Sequence, residues 1–201
     1  MQPPVQFFFD FSSPYGYFAA IRINELAAKY GRSVDWHPVL LGIIFKTTET
    51  RPLVSIPLKG EYSLHDLKRT ARFHHIPFNV PTVFPIATQH AARAMLWIQN
   101  QHGKDAAQQF AVQCFQAYFV EGINISEAQA VVQIALQCAL NGEQVADGMQ
   151  QQDVKDQLKA EVDAALQLGI FGSPYVMIDG EPFWGFDRFD QIEATLKNGK
   201  I

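Results

Sequence analysis

The residues best suited to chemistry lie in two short segments at opposite ends of the chain. The first reads Phe9-Asp10-Phe11-Ser12-Ser13-Pro14-Tyr15. Serine directly before proline is a helix-start signal, with Ser13 as N-cap and Pro14 at the first helical position. A helix start offers unpaired N–H groups and the positive end of the helix dipole, which stabilise a thiolate or another anion. No cysteine lies within about a hundred residues of this turn, so it cannot cycle a disulfide of its own. A thiol acting there must arrive with a ligand. The second segment is Gly169-Ile170-Phe171-Gly172-Ser173-Pro174, in which a proline opens a strand. A cis bond before Pro174 leaves the Ser173 N–H and C=O free to pair with an extended peptide in the manner of strand addition.

The elements around these segments follow from period and punctuation. Val5 to Phe11 reads as a buried strand, Tyr15 to Tyr30 as a helix stopped by Gly31, and Val34 to Leu40 as a second, parallel strand. From Gly42 to about Gly169 no strand is convincing. Helices are predicted over Ser63–His75, Gln89–Gln101, Lys104–Phe119, Glu127–Leu140 and Asp153–Leu168, with Ser126 to Gln129 as a capping box for the fourth. Asp179-Gly180 between two apolar runs predicts a tight hairpin, and a last helix runs from about Arg188 to Leu196. The fold class is therefore α/β. Residues 1–41 with 169–201 form a β/α domain, and residues 42–168 form an inserted helical domain.

Composition narrows the function classes. The chain has 201 residues, 48% hydrophobic and 18% charged, enough for a core without disulfide support. A net charge of −4 argues against a nucleic-acid or anionic-membrane surface as the main partner. No apolar run approaches the ~18–20 residues of a membrane span, and the first residues carry no secretory pattern, so a cytoplasmic protein is expected. The six histidines show no paired-ligand spacing, so no metal is expected. Cys114 and Cys138 read as small buried hydrophobes. Lys59, Lys68, Arg69 and Arg72 read as a solvated basic face.

The order β-α-β, helical block, β-β-α is the thioredoxin arrangement. Phe-Asp-x-x-Ser-Pro-Tyr, Gly-x-Phe-Gly-x-Pro and Phe-Trp-Gly-x-Asp-Arg, in this order, resemble the 2-hydroxychromene-2-carboxylate isomerases. These group with the kappa-class glutathione transferases in the DsbA-like thioredoxin superfamily. The resemblance implies a thioredoxin-like (DsbA/kappa-type) core with a large all-helical insertion, and glutathione as cofactor. It implies that Ser13 hydrogen-bonds the glutathione sulfur and that the Ser173 backbone pairs with its cysteinyl part. Trp184, Gly185, Phe186, Asp187 and Arg188 match the segment that holds the γ-glutamyl end. Lys46 matches a lysine facing the carboxylate of a small aromatic acid, and Phe84 matches an aromatic wall. Relatives often read Lys-x-x-Gly-Asn-x-Pro where this chain has Glu49, Thr50 and Arg51, so Thr50 and Arg51 border the substrate site with altered chemistry. The resemblance also implies a homodimer through the helical block. Isomerisation is the leading reading. The alternatives are a kappa-like transferase that releases the conjugate and a non-catalytic binding protein on the same scaffold.

Overall fold

The computed structural model describes residues 2–201. Strand β1 (Val5–Phe9) pairs in parallel with β2 (Val34–Pro38), Val5 opposite Val34 and Phe9 opposite Pro38. Two short helices connect them, α1 (Pro14–Ala20) and α2 (Ile23–Ala28), where one continuous helix was expected. At the break the Arg22 N–H turns back to Ala19 O at 3.0 Å, and the Arg22 guanidinium donates to His74 O at 2.7 Å.

The final third carries the predicted hairpin. Strands β3 (Tyr175–Ile178) and β4 (Glu181–Trp184) pair antiparallel, with Asp179 and Gly180 both at positive φ (53° and 93°). That geometry suits the right-handed twist of the flanking strands and explains the Asp-Gly pair. The sheet order is β2-β1-β3-β4, with β3 antiparallel to β1. Helix α10 (Phe189–Asn198) closes the chain.

Between β2 and β3 the described residues hold no strand. They form α3 (Leu41–Thr47), a 3-10 turn (Leu53–Ser55), α4 (Lys59–Phe73), α5 (Gln89–His102) and α6 (Lys104–Phe119). Helices α7 (Ala128–Gln137), α8 (Gly142–Gly148) and α9 (Gln152–Gln167) follow. The capping box at Ser126 is not formed. Ser126 donates its N–H and its hydroxyl to Asn124 Oδ1, at 3.1 and 2.8 Å, so an asparagine turn takes the serine and the helix starts later.

Side chains alternate across β1, and the two faces bury different partners. Phe7 and Phe9 meet Trp36 edge-to-face at 5.0 and 5.3 Å between ring centroids. Phe9 also packs on Phe11 and on Phe115 of α6, which continues to Tyr17 and Phe119. Each such ring contributes roughly 1.5–3 kcal/mol by leaving water. On the opposite face Phe8 packs with Val39, Ile44, Ala165, Ile170 and Tyr175. The sheet is thus covered on both sides, and the β1–α1 turn is held at one end of it. Among the described residues, no helix is long and apolar enough to cross a membrane.

Candidate functional site

Ser13 is the N-cap of α1. Its backbone is extended, and its Oγ accepts the Gly16 N–H at 3.0 Å while Pro14 fills the position that needs no donor. The same hydroxyl donates to the Ser173 carbonyl oxygen at 2.8 Å. The Ser173–Pro174 bond is cis, as expected, and so is Phe84–Pro85, which no local pattern marks. Two segments 160 residues apart therefore meet through one hydrogen bond.

Asp10 holds this meeting together, and the sequence reading did not single it out. Its carboxylate is buried and accepts the Ser12 N–H at 2.7 Å, the Leu41 N–H at 2.6 Å and the Thr88 hydroxyl at 2.9 Å. Its backbone N–H donates to Ser173 Oγ at 3.0 Å, and its C=O accepts the Ser13 N–H at 2.9 Å. The starts of α1, α3 and α5 and the loop before β3 all converge on this one residue. Burial pushes the Asp10 carboxyl up from the ordinary value, opposed by the Ser12 and Leu41 N–H groups and the Thr88 hydroxyl.

The wall beside Ser13 comes from α4. Tyr15 donates its hydroxyl to Asp66, which also binds Arg69, and Arg69 lies over the ring of exposed Tyr62. Burial, reinforced by the Asp66 carboxylate, pushes the Tyr15 hydroxyl well up, so it stays protonated and a donor. Burial would raise Asp66, but the hydrogen bonds from Tyr15 and Arg69 together bring it below the ordinary range.

The third segment follows β4. Trp184 is exposed and stands edge-to-face with Phe171 at 4.9 Å. Gly172 lies so close under Trp184 that a Cβ there would come within 2.3 Å of the indole nitrogen, so any larger residue requires the exposed indole to move. The Gly185 N–H donates to Pro174 O at 3.0 Å, which ties this segment to the Ser173 loop. Asp187 and Arg188 are exposed and pair at 3.3 Å. Phe186 differs from its neighbours. Its ring is buried against Phe18, His74 and Phe189 and takes no part in the surface there.

Phe84 lines a groove of about 370 Å³ with Val54, Ser55, Leu64, Thr82 and Pro85. The Ser12 hydroxyl anchors that loop to the β1–α1 turn by accepting the Ile86 N–H at 3.1 Å. Lys46, Thr50 and Arg51 are exposed and are not part of this lining. Lys46 ends α3. The Thr50 hydroxyl is bound to that of Thr48 at 2.8 Å, and Glu49 keeps the positive φ (54°) of a position that the motif gives to glycine. Among the described residues no group of three or more His, Cys, Asp or Glu is placed to hold a metal. Cys114 is buried, and burial raises its thiol well above the usual value, so it is unreactive.

Comparison with known proteins bears on the fold and the family of the chain. The chain is 27% identical to glutathione S-transferase kappa 1 of Caenorhabditis elegans, over 97% of this chain and 91% of that one. It is 23% identical to a 2-hydroxychromene-2-carboxylate isomerase of Sphingobium xenophagum, over 98% of this chain and 99% of that one. A solved 2-hydroxychromene-2-carboxylate isomerase superposes with a TM-score of 0.83 at 23% identity, covering 96% of this chain and 94% of that one. The cytosolic disulfide reductase DsbM of Pseudomonas aeruginosa, solved with GSH, gives 0.70 at 18% identity, with 98% of each chain covered. The DSBA-like thioredoxin domain model matches residues 4–197. That span runs from the strand entering the Ser13 turn through the closing helix, and the chain accordingly belongs to the DSBA-like thioredoxin family.

Proposed function

We propose that this protein is a glutathione-dependent isomerase that converts a 2-hydroxychromene-2-carboxylate into the trans-hydroxybenzylidenepyruvate. The observation that carries the reading is the contact of the Ser13 hydroxyl with the Ser173 carbonyl at 2.8 Å. That hydroxyl is taken to serve the sulfur; the Ser173 carbonyl, expected to be free, already accepts it, so the peptide pairs with the Ser173 N–H and the second lone pair of that carbonyl. In this reading the glutathione thiol, with an ordinary pKa of roughly 8.5, loses its proton to solvent, and Ser13 stabilises the thiolate. Ser173 pairs with the cysteinyl backbone. Trp184, Gly185, Asp187, Arg188 and the Phe186 backbone receive the γ-glutamyl end, the Asp187 carboxylate suiting its ammonium.

The thiolate adds to the conjugated carbon of the ring-opened substrate, forming a C–S bond and moving the electron pair onto the carbonyl as an enolate. The former double bond is now single and rotates. Collapse of the enolate expels the thiolate and leaves the trans product, so glutathione is regenerated. Lys46 pairs with the substrate carboxylate and offsets the enolate charge, Phe84 packs on the ring, and Thr50 and Arg51 border the entry.

One feature favours a second reading. The groove beside Phe84 is lined by apolar and hydroxyl side chains without a charged one, which suits a neutral electrophile and a kappa-type transferase that releases the conjugate. Calorimetric titration with glutathione, followed by assays on the chromene carboxylate and on a neutral aryl halide, separates the two. Binding with conversion of the acid and no loss of glutathione supports the isomerase. Conjugation of the halide alone replaces it with the transferase, and absence of binding removes both.

A further inference from the structure

The proposal that glutathione binds at Ser13 leaves one hydroxyl in the site without a role, and its geometry is better suited to donate than that of Ser13. The Ser13 hydroxyl has a single hydrogen, and that hydrogen is committed to the Ser173 carbonyl at 2.8 Å. Its oxygen already accepts the Gly16 N–H. The Ser173 hydroxyl accepts the Asp10 N–H at 3.0 Å, and its own hydrogen has no acceptor among the described residues. Ser13 is only 5% exposed, whereas Ser173 is partly open to solvent.

Both oxygens face the same place. A Cβ on Gly16 would stand 2.8 Å from Ser173 Oγ and 3.2 Å from Ser13 Oγ. A methyl group there would collide with both side chains, so glycine at this position lets the two hydroxyls sit side by side against the first turn of α1. A sulfur approaching from the side on which Ser173 is open to solvent meets the free hydrogen of Ser173 directly. It reaches the hydrogen of Ser13 only when that hydrogen leaves the Ser173 carbonyl.

We propose that the Ser173 side chain is a second hydrogen-bond donor to the bound thiolate, so that the site is a serine pair and not a single serine. This goes beyond backbone pairing at Ser173 and rests on the glutathione reading. Two hydroxyl donors lower a thiol pKa further than one, because each hydrogen bond favours the charged form. The pair also gives the site a thiolate donor that needs no rearrangement before the sulfur arrives.

The test is the pH titration of glutathione bound to the full-length protein, read from the ultraviolet absorbance of the thiolate, with affinity measured in parallel. Ser173→Ala is expected to raise the titration midpoint by about one pH unit, which is about tenfold less thiolate below it. Ser173→Thr, which keeps the hydroxyl, is expected to titrate with the wild type. Ser13→Ala alone is expected to keep a midpoint below that of free glutathione, and the double alanine variant to match free glutathione. A Ser13→Ala midpoint equal to that of free glutathione overturns the proposal, as does a Ser173→Ala midpoint equal to wild type. The Ser13→Ala arm decides the matter even where Ser173→Ala, by stripping the acceptor from the Asp10 N–H, fails to fold. Absence of glutathione binding to the wild-type protein overturns the cofactor reading itself and is read separately by the calorimetry.

Discussion

Replacing Ser13 by alanine removes an acceptor for the Gly16 N–H and a donor to the Ser173 carbonyl. Loss of an N-cap costs about 1 kcal/mol, while loss of one donor to a developing anion costs roughly 10²–10³-fold in rate. Urea denaturation and glutathione-dependent turnover of Ser13→Ala are therefore expected to disagree, with a small change in midpoint beside a large loss of rate. Asp10→Asn has the opposite balance. An amide cannot accept from the Ser12 N–H, the Leu41 N–H and Thr88 together, so one buried donor is orphaned at about 1–3 kcal/mol. A Ser13→Ala protein that keeps full turnover, or an Asp10→Asn protein as stable as wild type, contradicts these assignments. Ser13 was legible in the sequence because serine before proline is a local signal. Asp10 was not, since two of its partners lie 31 and 78 residues away.

Most long helices were legible and the shortest ones were not. The period of apolar residues located α5, α6 and α9 within a residue or so. Helices α3 and α8 have seven residues each, too few for a period to show. The first N–H of α3 goes to Asp10, and α8 is capped by Asn141, whose Oδ1 accepts the Gln144 N–H at 3.0 Å. Asn141 was a usable cap signal that the neighbouring glycine disguised as a loop. The hairpin was legible from Asp179-Gly180, but its clamp was not. Buried Arg32 donates to both Asp179 oxygens, at 2.9 and 3.0 Å, and to Pro3 O at 2.6 Å. The Arg32 hydrogen bonds hold the Asp179 carboxyl below its ordinary value. A depressed carboxylate contributes stability above its unfolded pKa and loses it as pH falls through the folded one. Asp179→Asn, which keeps the turn preference, is expected to lower stability by roughly 1 kcal/mol at neutral pH, Asp179 being half exposed. That difference is expected to shrink as pH falls below the ordinary carboxylate range in denaturation series run against pH. A difference that persists at low pH assigns the effect to the turn and not to the ion pair.

At the scale of the molecule, the aromatic seam from Trp36 through Phe9 and Phe115 to Phe119 joins the sheet to α6. Phe115→Ala opens a cavity where the ring is fully buried and is expected to cost about 3–5 kcal/mol, with α6 and the sheet melting in one transition. Two separate transitions by calorimetry contradict that coupling. The same seam fixes the ends of β1 and α1, and with them the turn that carries Ser13. The order of elements made this architecture legible. The packing that brings Ser173, Gly185 and Phe84 around the turn rests on contacts between residues far apart in sequence, which no local pattern records. The most direct measurement of the proposed reaction is the absorbance change of 2-hydroxychromene-2-carboxylate with the wild-type protein, with and without catalytic glutathione. The result predicted is fast conversion that requires glutathione and leaves its concentration unchanged. Conversion at the same rate without glutathione, or no conversion in its presence, contradicts the account.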